Sequence, residues 1–136
     1  MEHENYLALD IGEKRIGVAV GTVIPFGRGT VDATEPQAAL NHIASIIRED
    51  HITALIVGIP HVRSGDVTAS QAKAHEWIMR LKEMFSLPIE TVDEAYSSTQ
   101  AERELRAMGV DTVKEKERID ERSAEIILAQ YLEGKV

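Results

Sequence analysis

The chain contains no cysteine, which excludes disulfides, thiolate zinc sites and a cysteine nucleophile. No apolar run approaches the roughly 18 residues that cross a bilayer. The N-terminus, MEHENYLALD, lacks the basic head and apolar middle of a signal peptide. A cytoplasmic protein without membrane contact is therefore expected. Positive charge is in short supply, with 15 Lys and Arg against 23 Asp and Glu, a formal net of −8. Taken alone, this opposes broad nonspecific nucleic-acid binding, unless a local basic patch or bound cations override it. Aromatic residues make up only 4%. With Tyr96 the one well placed among them, sequence-specific reading of single strands by base stacking is not supported. What remains is ordinary: 136 residues, 43% hydrophobic and 28% charged, enough for one domain over 1–136 with a normal core.

No repeat, low-complexity tract or linker is visible. Residues 5–11 (NYLALDI) and 15–21 (RIGVAVG) read as strands joined by a short hairpin at Gly12-Glu13-Lys14. In the second, Ile16, Val18 and Val20 alternate with small residues. A third strand is expected from Ile24 to Val31, interrupted by Pro25, Gly27 and Gly29. Thr34-Glu35-Pro36-Gln37 has the form of a capping box with an early proline. It opens a helix whose inner face is Leu40, Ile43, Ala44 and Ile47. Residues 53–59 (TALIVGI) form an unbroken apolar run, as expected of a strand covered on both faces. After a polar loop, Pro60 to Asp66, a helix is expected from about Val67 to Phe85 with Ala74, Trp77, Ile78 and Leu81 inward. Residues 89–93 read as the last strand. A second capping box at Thr99–Glu102 opens a helix carrying Ala101, Leu105 and Met108 inward and stopping at Gly109. A charged loop, 111–118, leads to a final helix from about Ile119 to Glu133, closed by Gly134. The order β-β-β-α-β-α-β-α-α implies a mixed sheet with helices on both faces.

The acids are the informative residues. Asp10 ends the first apolar strand, Asp93 and Glu94 end the last strand, and Asp120 begins the final helix. If strands one and five are near-parallel neighbours, their carboxyl ends share the edge where open α/β sheets bind ligands. The final helix turns Ala124, Ile127, Leu128 and Tyr131 inward. Asp120 lies four residues before Ala124 and seven before Ile127, so it projects from the core-facing side. The positive helix end would help keep it ionised. Each acid also has an ordinary reading: a helix-capping acid, a residue ending a strand at the Gly12 turn, a solvated strand end. That all three fall at one edge favours a shared site. Converging carboxylates repel one another unless a multivalent cation sits among them. An all-oxygen site suits Mg²⁺ or Mn²⁺ rather than zinc. Two such ions about 4 Å apart activate water and stabilise the leaving oxygen of a phosphodiester.

The run Leu9-Asp10-Ile11-Gly12-Glu13-Lys14-Arg15-Ile16-Gly17-Val18-Ala19-Val20 resembles the opening motif of the YqgF/RuvX family. Its members are described as Holliday-junction resolvases and as nucleases maturing the precursor of 16S ribosomal RNA. Val57-Gly58-Ile59-Pro60 with Gly65, Val92-Asp93-Glu94 followed by Ser98-Thr99 and Ala101-Glu102, and Ile119-Asp120 with Ala124, Ile127 and Leu128 resemble its later motifs in order. The resemblance implies a ribonuclease H-like fold and a Mg²⁺- or Mn²⁺-dependent nuclease site. Asp10, Glu94 and Asp120 would be the catalytic, metal-holding acids, with Asp93 an adjoining metal-site residue. Lys14, Arg15 and Arg63 are candidates for phosphate contact, with solvated surface charges as the ordinary reading. Structured RNA or branched DNA would be the substrate. The chain departs from the family's pattern at Ala95-Tyr96-Ser97-Ser98-Thr99, where a basic residue and Leu-Thr-Thr are usual. It departs again before Asp120, where Lys114, Lys116 and Arg118 alternate with Glu115 and Glu117, and at Ser123-Ala124, where paired alanines are usual.

Two other readings compete. A non-catalytic binding or ribosome-assembly module would retain the fold while its diluted basic loop grips nucleic acid less. Asp10 to Gly17 also resembles the first phosphate motif of actin-like ATPases, but 136 residues leave no room for their second domain. His3, His42, His51, His61 and His75 show no short ligand spacing. His61 reads as a surface residue and Trp77 as core. Monomer and homodimer are both open.

Overall fold

The computed structural model describes residues 4–60, 68–94 and 97–134. The elements follow the expected order: β1 (Tyr6–Ile11), β2 (Arg15–Gly21), β3 (Phe26–Asp32), α1 (Pro36–Glu49), β4 (Ala54–Pro60), α2 (Ala69–Met84), β5 (Ile89–Glu94), α3 (Ser97–Ala107) and α4 (Lys116–Gly134). β1 and β2 form the antiparallel hairpin, with Ile11 opposite Ile16 and the Gly12 N–H donating to the Arg15 carbonyl at 2.9 Å. β4 and β5 add in parallel on the other side of β1, so the sheet order is β3-β2-β1-β4-β5. β1 and β5 are therefore not neighbours, because β4 lies between them. The physical reason is burial: the apolar run of β4, covered on both faces from Ala54 to Gly58, takes an interior place. The more polar β5 is left at the edge.

The pleat divides the side chains between two cores. Leu7, Leu9, Ile16, Val18, Leu55 and Val57 face α1 and α2, packing with Ile43, Ile46, Trp77 and Leu81. Tyr6, Ala8, Ala19, Ala54 and Ile56 face α4, packing with Ala124, Ile127 and Leu128. The sheet residues under α4 are mostly Ala and Gly, so this helix lies close to the strands. α3 packs on α4 and buries Ala101 and Leu105. Trp77 is core, as expected.

Several boundaries depart from expectation. β3 starts at Phe26 because Gly21 to Ile24 turn tightly; a Cβ on Gly21 would lie 2.2 Å from the Ile24 carbonyl oxygen. The capping box at Thr34 does not form, because Asp32 accepts from both the backbone N–H and the hydroxyl of Thr34. α1 is instead capped by Glu35 without a side-chain bond, with Pro36 at its start. α2 is opened by an unforeseen capping box, Thr68 with Gln71. α3 begins at Ser97, so Thr99 to Glu102 lie inside it rather than capping it. Met108 is 72% exposed, not inward, since α3 ends at Ala107 and the chain reverses at Gly109 with φ +86°. α4 begins three residues early, at Lys116, and includes Gly134.

Candidate active site

The same parity that turns Tyr6 and Ala8 towards α4 continues to Asp10, which is half-buried at the carboxyl end of β1. Directly across the hairpin from Asp10 stands Gly17. A Cβ at Gly17 would lie 1.9 Å from the Asp120 backbone oxygen and 2.4 Å from its carbonyl carbon. No such approach is tolerated by a side chain, so only glycine lets the Asp120 peptide lie on β2. Residues facing each other in an antiparallel pair are about 5 Å apart. Asp10 and the Asp120 backbone, 110 positions apart in sequence, thus both adjoin Gly17.

Two side chains hold this segment of α4 in place. The Arg15 Nε donates to Asp120 Oδ2 at 2.8 Å, with the two side chains 28% and 27% exposed. At that exposure the pair contributes roughly 1 kcal/mol. Its main effect is to orient the Asp120 carboxylate. Next along the helix, Glu121 reaches over β3, where its Oε2 accepts from the Gly29 N–H at 2.6 Å. A Cβ at Gly27 would meet the Glu121 carboxyl carbon at 2.6 Å. Successive residues of α4 are therefore seated on β2 and β3 through glycines. Because α4 begins at Lys116, Asp120 is its fifth residue. The helix end acts mainly within the first turn, so Arg15 takes over the neutralising role expected of it.

The remaining sequence candidates lie around this pair. Glu94 is level with Pro60 at the end of β5, and Asp93 with Ile59. Position 94 has the strand parity of Val92, which packs in the α4 core, and of Glu90, which accepts from the Tyr131 hydroxyl. Asp93 has the opposite parity and is exposed. With β4 intervening, β5 is about 10 Å from β1. Lys14 is exposed on the hairpin turn, and Arg15 is engaged with Asp120. The Glu94 side chain, Arg63, His3, His61, Gly65 and Tyr96 lie outside the described residues. His42, His51 and His75 are exposed surface residues. Among the described residues no three His, Cys, Asp or Glu side chains are grouped to hold a metal. Carboxylate oxygens are the donors that hard cations prefer, and the Arg15 guanidinium sits as a cation on Asp120.

Sequence reasoning missed Gly17 and Glu121. A signal for the first was present: Gly17, Ala19 and Gly21 share one parity, marking where a helix can approach closely. Nothing local marked Glu121, whose partners are backbone groups 92 residues away. α3 is tied to α4 by Arg122, whose Nε donates to Glu104 at 2.7 Å. The Arg122 hydrogen bond, then that from Gln100, holds the Glu104 carboxyl below its ordinary value. Glu104 in turn raises the Arg122 guanidinium.

The chain is similar along nearly its whole length to known proteins. A protein called "Putative pre-16S rRNA nuclease" from Chloroflexus aggregans is 35% identical over 138 residues, covering 99% of this chain and 97% of that protein. One of the same name from Picosynechococcus is 39% identical over 133 residues, covering 95% and 92%. Thermus thermophilus RuvC in complex with a Holliday junction superposes with a TM-score of 0.56 at 16% identity, covering 96% of this chain and 95% of that one. This likeness shows the shared ribonuclease H-like α/β fold. A family model described as "RuvX: Holliday junction resolvase" matches residues 4–134, and the chain belongs to the RuvX family.

Proposed function

We propose that this chain is a Mg²⁺- or Mn²⁺-dependent endonuclease that hydrolyses phosphodiester bonds in structured nucleic acid. Its reaction is the maturation of the 5′ end of precursor 16S ribosomal RNA, with branched DNA as the competing substrate. The observation that carries this reading is the seating of Asp120 on Gly17, opposite Asp10. It supports a site in which carboxylates from the two ends of the chain act together at the carboxyl edge of the sheet.

Asp10, Glu94 and Asp120 would hold the cations, with Asp93 on the outer margin of the site. When bound, divalent ions there supply a nucleophile at neutral pH and charge neutralisation for the leaving oxygen. The chain's own residues do the positioning. Gly17 lets α4 descend, Arg15 orients Asp120, and Glu121 pins the helix to β3. Lys14 and Arg63 would offer cations to the phosphate backbone, and Arg15 would share its charge between the phosphate and Asp120. The nuclease is one domain over 1–136, acting in the cytoplasm as a monomer or homodimer without membrane attachment. Among the described residues no helix is long and apolar enough to cross a membrane.

The test is cleavage of a 16S precursor leader and of a four-way DNA junction in Mn²⁺. Asp10→Asn is expected to lower the rate roughly a thousandfold, about 4 kcal/mol, with the fold intact by circular dichroism. Unaltered cleavage by that variant would sink the assignment. A second reading, a non-catalytic binding module, draws on one observation: several cations are spent internally, Arg15 on Asp120 and Arg118 on Glu115. It is adopted if the wild-type protein binds but cleaves neither substrate.

A further inference from the structure

Between α3, the turn before α4 and the start of β2 lies a cavity of about 420 Å³. Arg15 and Asp120 form part of its wall, so it opens onto the site just described. Glu102 from α3, Thr112 and Val113 from the turn, and Lys116 and Ile119 from α4 complete it. Its acids are both paired, Asp120 with Arg15 and Glu102 with Arg106. Lys116 takes part in no ion pair among the described residues. The charges of the wall balance, Arg15 and Lys116 against Glu102 and Asp120, but with Glu102 held by Arg106 from outside the wall, Lys116 is the one cation of the wall without an ion-pair partner among the described residues.

The apolar part is built rather than incidental. Asp111 Oδ1 accepts from the Val113 N–H at 3.1 Å and the Lys114 N–H at 3.3 Å. The Glu115 N–H donates to the Asp111 carbonyl at 2.9 Å, and Arg106 Nε donates to the Thr112 hydroxyl at 3.2 Å. This bonded turn presents Val113 outward at 73% exposure. A free anion would use Lys116 but leave Val113 and Ile119 idle. An apolar peptide would use Val113 but bury Lys116 at a cost. A nucleotide uses both, with an anionic phosphate at one end and a ribose and base with apolar faces at the other.

We propose that this cavity is a nucleotide subsite. It holds the nucleotide beside the scissile phosphate, with Lys116 at the backbone phosphate and Val113 and Ile119 against ribose and base. The proposal rests on the nuclease reading above. The test uses the full chain carrying Asp10→Asn and a fluorescein-labelled RNA stem–loop with a short single-stranded 5′ leader, read by anisotropy across a KCl series. Val113→Ser is expected to weaken binding about fivefold through lost apolar contact, and Val113→Ile to retain it. Lys116→Gln is expected to weaken binding and make the slope of log K against log salt shallower by about 0.7. Both positions are exposed, so melting temperatures should stay unchanged. Wild-type affinity in Val113→Ser, or an unaltered salt slope in Lys116→Gln, would overturn the subsite. So would an unchanged RNA affinity accompanied by a shift in oligomeric state, which would assign the face to self-association. If Asp10→Asn still cleaves while these binding losses hold, the active-site assignment fails and the subsite stands.

Discussion

At the scale of single residues, the site depends on an atom that is missing. Gly17 has no Cβ, and the Asp120 peptide occupies the space where one would be. Gly17→Ala must lift the start of α4 off β2 or distort the hairpin. Overpacking at such a contact costs about 1–3 kcal/mol. Urea denaturation should show that loss, and a Mn²⁺ titration should show weaker binding, since Asp120 moves away from Asp10. A variant as stable as wild type, with unchanged Mn²⁺ affinity, would mean that the contact has no part in assembling the site. Arg15 illustrates a second lesson at this scale. Its charge suggested phosphate contact; its guanidinium also orients Asp120, a role no local spacing could reveal.

At the scale of elements, α4 carries Asp120 and α3 braces α4. The brace is the Arg122–Glu104 pair at 2.7 Å, with both side chains more than a third exposed. The Arg122 hydrogen bond holds the Glu104 carboxyl below its ordinary value. A depressed carboxyl contributes stability that is fully present above its unfolded value and lost as pH falls through its folded one. Glu104→Gln is therefore expected to destabilise the chain by about 0.5 kcal/mol at neutral pH, discounted for exposure. The difference from wild type should shrink as pH is lowered below the ordinary carboxylate range. Urea midpoints measured at neutral and acid pH check this; a difference that stays constant with pH would refute the pairing as its source.

At the scale of the whole molecule, the acidic balance and the nucleic-acid assignment are reconciled by distribution. The excess of Asp and Glu is global, while Lys116 stands without an ion pair beside the site among the described residues and the acids at the sheet edge are the proposed seats of cations. Binding of Mn²⁺ to the native state alone must raise its stability, by about 2.7 kcal/mol at a hundred times the dissociation constant. For a chain of this size that is a rise in melting temperature of roughly 10 °C. Differential scanning fluorimetry with Mn²⁺, then with excess chelator, should show the rise and its reversal. Asp10→Asn should abolish it. An equal rise in that variant would place the cation elsewhere.

Much of this was legible from local pattern, because burial imposes period two on strands and period 3.6 on helices. The element order, the place of Asp10 at the end of β1 and the inward face of α4 at Ala124, Ile127 and Leu128 follow from residue type and spacing alone. Helix starts were less legible: Asp32 competed for Thr34, since short polar side chains choose among nearby backbone partners by small energy differences. Strand order was decided by the tertiary structure, where the doubly covered β4 had to separate β1 from the edge strand β5. So were the seat of Asp120 on Gly17 and the grips of Arg15 and Glu121. Those contacts join residues about a hundred positions apart, and their energy exists only once the sheet has brought the two ends of the chain together.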